Sequence, residues 1–417
     1  MDQTFYIGNR TKLYDALQPK DVLILFAGVL IHKSEDAYYP FHANRNFVYL
    51  NGIEQPKSVL VALKNAAGIV SEQLYLLPKD PMAERWNGKR LSREEATRIS
   101  GVMDIRNLEC FDQEIGELLS SGDVDRVFLD IHRQSPDVQD QQGHIFANQI
   151  QQHYCNLEII NAAPMIHGLR TIKQPCEIEA LRRAEEITKA GILAMMRASR
   201  PGMYEYQYKA EFDRALGQFG PQEAGFQSII SAGANNFCIH YEAYTGQACD
   251  GDMVLNDVGA QYDHMIVDVS RGWPCNGKFS ERQKLLYECA LATSDYMFSI
   301  IRPGMKMVDV DRTIRAYNAQ KLVDAGVLDS VENVGKYMWH GGAHHIGFDV
   351  HDSVQMPEII EPGMVFCVDV GIYHEEWGIG FRLEDNCFVT ENGCENLSAQ
   401  IPRTIEQIEA VMAERFH

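Results

Sequence analysis

Residues 253–269 read Met-Val-Leu-Asn-Asp257-Val-Gly-Ala-Gln-Tyr-Asp-His-Met-Ile-Val-Asp268-Val, two apolar runs divided by a polar turn near Tyr262-Asp263. Each run carries an aspartate, and the midpoint between the two falls on the turn. A hairpin folded about that midpoint sets Asp257 directly opposite Asp268 on one face, with Cβ atoms about 4.5–5.5 Å apart. Like charges so placed repel, so the arrangement predicts a cation between them. A second stretch repeats the device: Met364-Val-Phe-Cys-Val-Asp369 leads through His374-Glu375-Glu376-Trp377 into Gly380-Phe-Arg-Leu-Glu384. The midpoint of Asp369 and Glu384 again falls on the turn. Any one of these acids, taken singly, reads as a turn cap or a solvated side chain. Four of them inside apolar strands, in two symmetric pairs, need counter-charge or metal.

An internal repeat surrounds these pairs. A helical pattern over 177–198 ends in Arg200-Pro-Gly-Met203 and precedes a second helix over 205–218. The order recurs further on. Ser280 reads as an N-cap, with Gln283 completing a capping box. That helix runs to Ile301, Arg302-Pro-Gly-Met305 follows, and another helix spans 308–325. One Arg-Pro-Gly stop has only local meaning. Two with matching flanks predict two related half-domains, and a histidine follows each at a similar offset, His240 and His340.

The N-terminal part alternates short apolar runs with helical stretches. Residues 22–28, 47–50, 58–63, 73–77 and 126–130 read as strands, and 92–99 and 111–119 as helices, which makes an α/β domain. Residues 170–175, a strand-like stretch closed by proline, mark the passage to the second domain. The expected division is 1–172 and 173–417.

Composition sets the outer limits. A chain of 417 residues is too long for one ordinary core. Its 58 acidic and 38 basic side chains leave a net charge of −20, which argues against a nucleic-acid partner. The longest early apolar run, 22–31, is far short of a membrane span. Ten cysteines without a CxxC pair read as reduced, mostly buried thiols, and no signal-peptide pattern is visible, so a cytoplasmic location is expected. Neither a Walker-type Gly-Lys-Ser/Thr nor a Gly-x-Ser-x-Gly elbow is present.

Imidazoles complete the set. His340-Gly-Gly-Ala-His344-His345-Ile-Gly-Phe-Asp-Val-His351 places three histidines at spacings of four and seven, with His345 beside one of them as a structural residue. Oxygen ligands with one imidazole suit divalent Mn, Co, Fe or Zn in a two-metal site.

With these motifs the chain resembles the creatinase/aminopeptidase P/prolidase/methionine aminopeptidase superfamily, the "pita-bread" metallopeptidases, and within it the aminopeptidase P branch. The likeness extends to the N-terminal part through Ala37-Tyr-Tyr-Pro-Phe-His-Ala-Asn-Arg-Asn-Phe-Val-Tyr-Leu-Asn-Gly and Glu84-Arg-Trp-Asn-Gly-Lys-Arg-Leu. It implies a creatinase-like α/β N-terminal domain and a C-terminal pita-bread domain with a pseudo-two-fold repeat. By resemblance the metal ligands fall on Asp257, Asp268, His344, Asp369 and Glu384, with Asp268 and Glu384 bridging two divalent ions. Mn2+ is expected first, with Co2+, Zn2+ or Fe2+ as alternatives. The implied reaction is attack of metal-activated hydroxide on the first peptide bond of a peptide with proline second, with Asp369 relaying the proton. The resemblance makes His240, His351 and Arg382 catalytic, assigns His340, His351 and Arg382 to substrate binding, and implies a homodimer or homotetramer.

Two departures from the family pattern stand out. The family's Val-Glu-Pro-Gly reads Val368-Asp369-Val370-Gly371 here, so the carboxylate is one methylene shorter, about 1.5 Å of reach. Met265-Ile-Val replaces small residues before Asp268, and Ser270 stands for the usual threonine. The alternatives are therefore a same-fold hydrolase with altered substrate (an Xaa-Pro dipeptidase or a creatinase-like C–N hydrolase) and a weakly active or non-catalytic binding homologue.

Overall fold

The apolar runs of the N-terminal part become a mixed six-stranded sheet. Its strands are β1 (Asp21–Phe26), β2 (Val59–Lys64), β3 (Val70–Leu76), β4 (Ile105–Asn107), β5 (Arg126–Leu129) and β6 (Glu158–Asn161), in the order β4-β3-β2-β1-β5-β6. β1 lies antiparallel to β2 and parallel to β5. Covered on both faces, β1 reads as the near-continuous apolar run expected of a central strand. The expected helices form at Arg93–Ser100, capped by a Ser92–Glu95 box, and at Phe111–Ser120. The computed structural model describes residues 1–220 and 223–414. They fall into two compact units, Met1–Leu169 and Arg170–His417.

Two local readings are corrected. Residues 47–50 are not a strand but the middle of a helix, Arg45–Asn51. Asn44 caps it by accepting from the Phe47 amide, and Gly52 ends it in the left-handed conformation. Phe47, Val48, Tyr49 and Leu50 are all fully buried, so burial on every side hid the helical period. Residues 170–175 are not strand-like either: Arg170 and Thr171 close the helix Ala163–Thr171, and Pro175 is the first residue of the next helix.

In the second unit the repeat is explicit. Helices α1 (Pro175–Ala198) and α2 (Glu205–Leu216) flank the first Arg-Pro-Gly-Met turn, and α3 (Glu281–Ile300) and α4 (Met307–Asp324) flank the second. The Ser280–Gln283 capping box is present. Both turns are clamped alike. The Gly202 amide donates to the Ala248 carbonyl at 2.7 Å and the Met203 carbonyl accepts from Ala248 at 2.9 Å. Gly304 and Met305 make the same pair of bonds to Ile360, at 2.9 and 2.8 Å. Both glycines have φ near +85 to +88°, where a side chain is strained.

The strands of each half form an antiparallel triplet. β7 (Ile229–Ala232), β8 (Met253–Val258) and β9 (Val269–Pro274) are ordered β9-β8-β7. β10 (Val365–His374), β11 (Ile379–Val389) and β12 (Cys394–Asn396) make the second triplet. One apolar cluster joins α1–α4 to both, with Trp273, Tyr287, Phe366 and Phe381 among its buried members.

The second hairpin has the expected register, with Asp369 opposite Glu384. The first does not. Asp257 faces Ser270, and the ladder continues to Tyr262 opposite Met265. The turn is therefore the pair Asp263-His264, both at positive φ (48° and 71°), as a tight two-residue hairpin loop requires. Asp268 stands two residues short of the position opposite Asp257, so the two still share a face.

Among the described residues all ten cysteines are unpaired, but the expectation of mostly buried thiols is corrected: four are buried and four are exposed, including Cys238 and Cys249. No described helix is long and apolar enough to cross a membrane.

Candidate metal centre

Asp257 on β8, Asp268 just before β9, Asp369 on β10 and Glu384 on β11 meet where the two triplets face each other. Two donor clusters form there among the described residues: Asp257, Asp268 and Glu384, and His344, Cys367 and Glu384, each with its ligand atoms within 4.8 Å of one another. Glu384 belongs to both. His344 Nε2 lies 3.5 Å from Asp268 Oδ2 and 3.6 Å from Glu384 Oε1.

The surroundings fix each acid. The side chain of Asn386 clips Asp268, its Oδ1 accepting from the Asp268 amide at 3.2 Å and its Nδ2 donating to the Asp268 carbonyl at 2.6 Å. This side chain supplies the bonds that a strand partner gives elsewhere. Ser270 donates to Glu384 Oε2 at 2.9 Å, and Arg382 donates to Asp257 Oδ2 at 2.8 Å. Asp369 Oδ2 is 3.2 Å from His340 Nδ1.

Three oxygens remain buried with no hydrogen-bond partner: Oδ1 of Asp257, Oδ1 of Asp268 and Oδ1 of Asp369. Each costs free energy unless a cation takes it up. Electrostatics agrees. Burial, then Glu384 and Asp257, push the Asp268 carboxyl well above its ordinary range, and burial, then Glu384, does the same to Asp369. Burial would raise Glu384 too, but His344, Cys367 and Arg382 together outweigh it and hold it low. A nitrogen, a thiol and clustered carboxylates with orphaned oxygens fit a divalent metal pair.

Residues 179–391 match metallopeptidase family M24, and residues 6–128 match the aminopeptidase P N-terminal domain. The chain belongs to metallopeptidase family M24. It is 30% identical to the Xaa-Pro aminopeptidase of Escherichia coli, over 97% of this chain and 96% of that one. The Xaa-Pro aminopeptidase of Haemophilus influenzae is also 30% identical, with the same coverage of both chains. Among solved structures, a Bacillus anthracis protein described as an aminopeptidase P superposes with TM-score 0.96 at 35% identity, covering 100% of this chain and 99% of that one. The E. coli aminopeptidase P with the inhibitor Pro-Leu gives 0.90 at 30%, covering 99% and 98%. The α/β N-terminal part and the repeated C-terminal part are thus those of aminopeptidase P structures.

Of the other predicted residues of this M24 metallopeptidase, His340 and His351 border the cluster. His351 stacks on His344 with ring centroids 3.9 Å apart. Burial, then His344, lowers the His351 imidazole. His240 is exposed in the loop after Phe237, next to Ile239, whose carbonyl accepts from Arg382 at 3.1 Å. His340 Nε2 lies 2.9 Å from the Tyr373 hydroxyl. Its ring rests on β10 at Gly371, where a Cβ would collide with it. His345 is buried against Phe366, and burial lowers it to about 4.

Two residues escaped the sequence reading. Tyr373 accepts from Arg382 at 3.0 Å and stacks on Trp339, with centroids 4.7 Å apart. Cys367 enters a donor cluster outright. The signal for both was parity: residues 367, 369, 371 and 373 leave β10 on one face.

Proposed function

We propose that this M24 metallopeptidase is an Xaa-Pro aminopeptidase, which removes the N-terminal residue from peptides with proline in second position. The observation that carries it is Glu384 shared between two donor clusters. In this reading Asp257, Asp268, His344 and Glu384, with Asp369 the fifth family ligand, would hold two divalent ions. When bound, such a pair supplies Lewis acidity and a nucleophile active near neutral pH. Mn2+ suits the all-oxygen cluster.

The chain's own groups do the rest. Asp369 takes a proton as the peptide carbonyl is attacked and passes it to the leaving proline nitrogen, steadied by His340 at Oδ2. His240 and His351 face the substrate and stabilise charge on the carbonyl oxygen. Arg382 holds Asp257 and Tyr373 in place and fixes the floor under the substrate. Beside His340, the stacked Trp339 and Tyr373, with Phe237 6.0 Å from Trp339, form an aromatic wall for the proline ring. Residues 1–172 serve as the N-terminal domain and 173–417 as the catalytic domain of a cytoplasmic homodimer or homotetramer.

The test is release of the first residue from matched Xaa-Pro and Xaa-Ala peptides by chelator-stripped protein resupplied with Mn2+, Co2+, Zn2+ or Fe2+. Metal-dependent release from the proline peptide alone is expected. Folded protein inactive with every metal overturns the reading.

A further inference from the structure

Cys367 precedes Asp369 by two residues on β10, so both side chains leave the same face of the strand. The thiol is fully buried. Its Sγ, a nitrogen of His344 and an oxygen of Glu384 lie within 4.8 Å of one another. The main chain ties the first two together in both directions: the Cys367 amide donates to the His344 carbonyl at 2.9 Å, and the His344 amide donates to Sγ at 3.3 Å. Asp369, one methylene shorter than a glutamate, belongs to neither donor cluster, and its Oδ2 is turned to His340.

We propose that Cys367 is itself a metal ligand, joining His344 and Glu384 around one ion, so that this position takes Zn2+, Co2+ or Fe2+ in preference to Mn2+. The inference rests on the dimetal reading above and deepens it. A buried thiol alone would be structural; here its cluster partner His344 lies 3.5 Å from Asp268, a side chain more than nine-tenths buried whose Oδ1 has no hydrogen-bond partner. On binding, the S–H bond breaks, the sulfur electron pair goes to the cation and the proton leaves to solvent. Thiolate is soft and imidazole intermediate, and together they select borderline ions, whereas Asp257, Asp268 and Glu384 offer oxygen alone. The two positions therefore differ in metal preference.

Cobalt reads this out without turnover. Chelator-stripped protein is titrated with Co2+, bound cobalt is measured by ultrafiltration, and the near-ultraviolet cysteinate-to-cobalt charge-transfer band is followed. The band should grow with bound cobalt in the unsubstituted protein and vanish in Cys367→Ser, which should keep the visible cobalt bands. Zn2+ affinity of Cys367→Ser should fall roughly tenfold or more. Should that variant fail to fold, X-ray absorption on the unsubstituted zinc form still decides, by a sulfur neighbour at about 2.3 Å. Bound metal with no charge-transfer band and no sulfur neighbour overturns this inference and leaves the metallopeptidase reading standing. A band retained in Cys367→Ser places the thiolate at another cysteine and also overturns it. No bound cobalt in folded protein overturns both.

Discussion

Arg382 donates through Nη2 to Oδ2 of Asp257 at 2.8 Å, joining a cation of the second half to a carboxylate of the first. The same guanidinium reaches the Tyr373 hydroxyl and the Ile239 carbonyl, and it is almost fully buried. Oδ1 of Asp257, which has no hydrogen-bond partner, is left open for a metal. A lysine ammonium is a point charge and lacks the planar fork that serves all of these acceptors. Arg382→Lys should therefore lower kcat/KM by on the order of 100-fold and reduce the melting temperature. Steady-state kinetics on an Xaa-Pro peptide and a thermal melt check both.

Asp268 faces Glu384 and His344, and among the described residues no Lys or Arg forms an ion pair with it. Asp268→Ala should remove bound metal while leaving the fold intact, because the Asn386 clip holds the backbone rather than the carboxylate. Metal analysis after gel filtration is the measurement. A variant with full metal content refutes the ligand assignment.

The shortened carboxylate at 369 makes a sharper prediction. If reach limits the rate, Asp369→Glu should raise kcat, by up to on the order of 100-fold. An unchanged or lower kcat would mean that the site has adapted to aspartate, and that His340 now depends on it.

Glu185 supplies a pH test away from the chemistry. It is fully buried, Oε1 accepts from Ser398 at 2.8 Å, and Oε2 has no partner. Burial, only partly offset by the Ser398 bond, raises its pKa from 4.5 to about 8. The native state thus keeps a proton that the unfolded chain has lost. The stability this contributes is fully present below 4.5 and drains away as pH rises through about 8. Glu185→Gln removes the dependence. Urea melts at pH 5, 7 and 9 should show the variant gaining on the parent by several kcal/mol across that range. A constant difference would contradict the assignment.

Much of the site could be read from sequence because parity and turn position fix a regular hairpin. Asp369 and Glu384 face each other as their spacing requires. The first hairpin broke the same arithmetic because its turn, Asp263-His264, contains no glycine to announce two positive φ values. The shared face survived only because the slip was two residues and not one. Residues 47–50 were misread for a different reason. Asn44 and Gly52 signalled a helix, but four consecutive buried apolar side chains erase any period. Arg382 was found through its strand, whereas Tyr373, on the same face as Asp369, carried no charge to attract notice.

The clip that Asn386 places on Asp268 has a consequence for the order of assembly. The first hairpin does not hold the Asp268 backbone by ladder bonds; a side chain more than a hundred residues later does. The placement of Asp268 therefore depends on β11 being docked, and the donor cluster that includes Asp268 depends on it too. A chain stopped before residue 386 would lack that clip and leave the Asp268 main chain unheld.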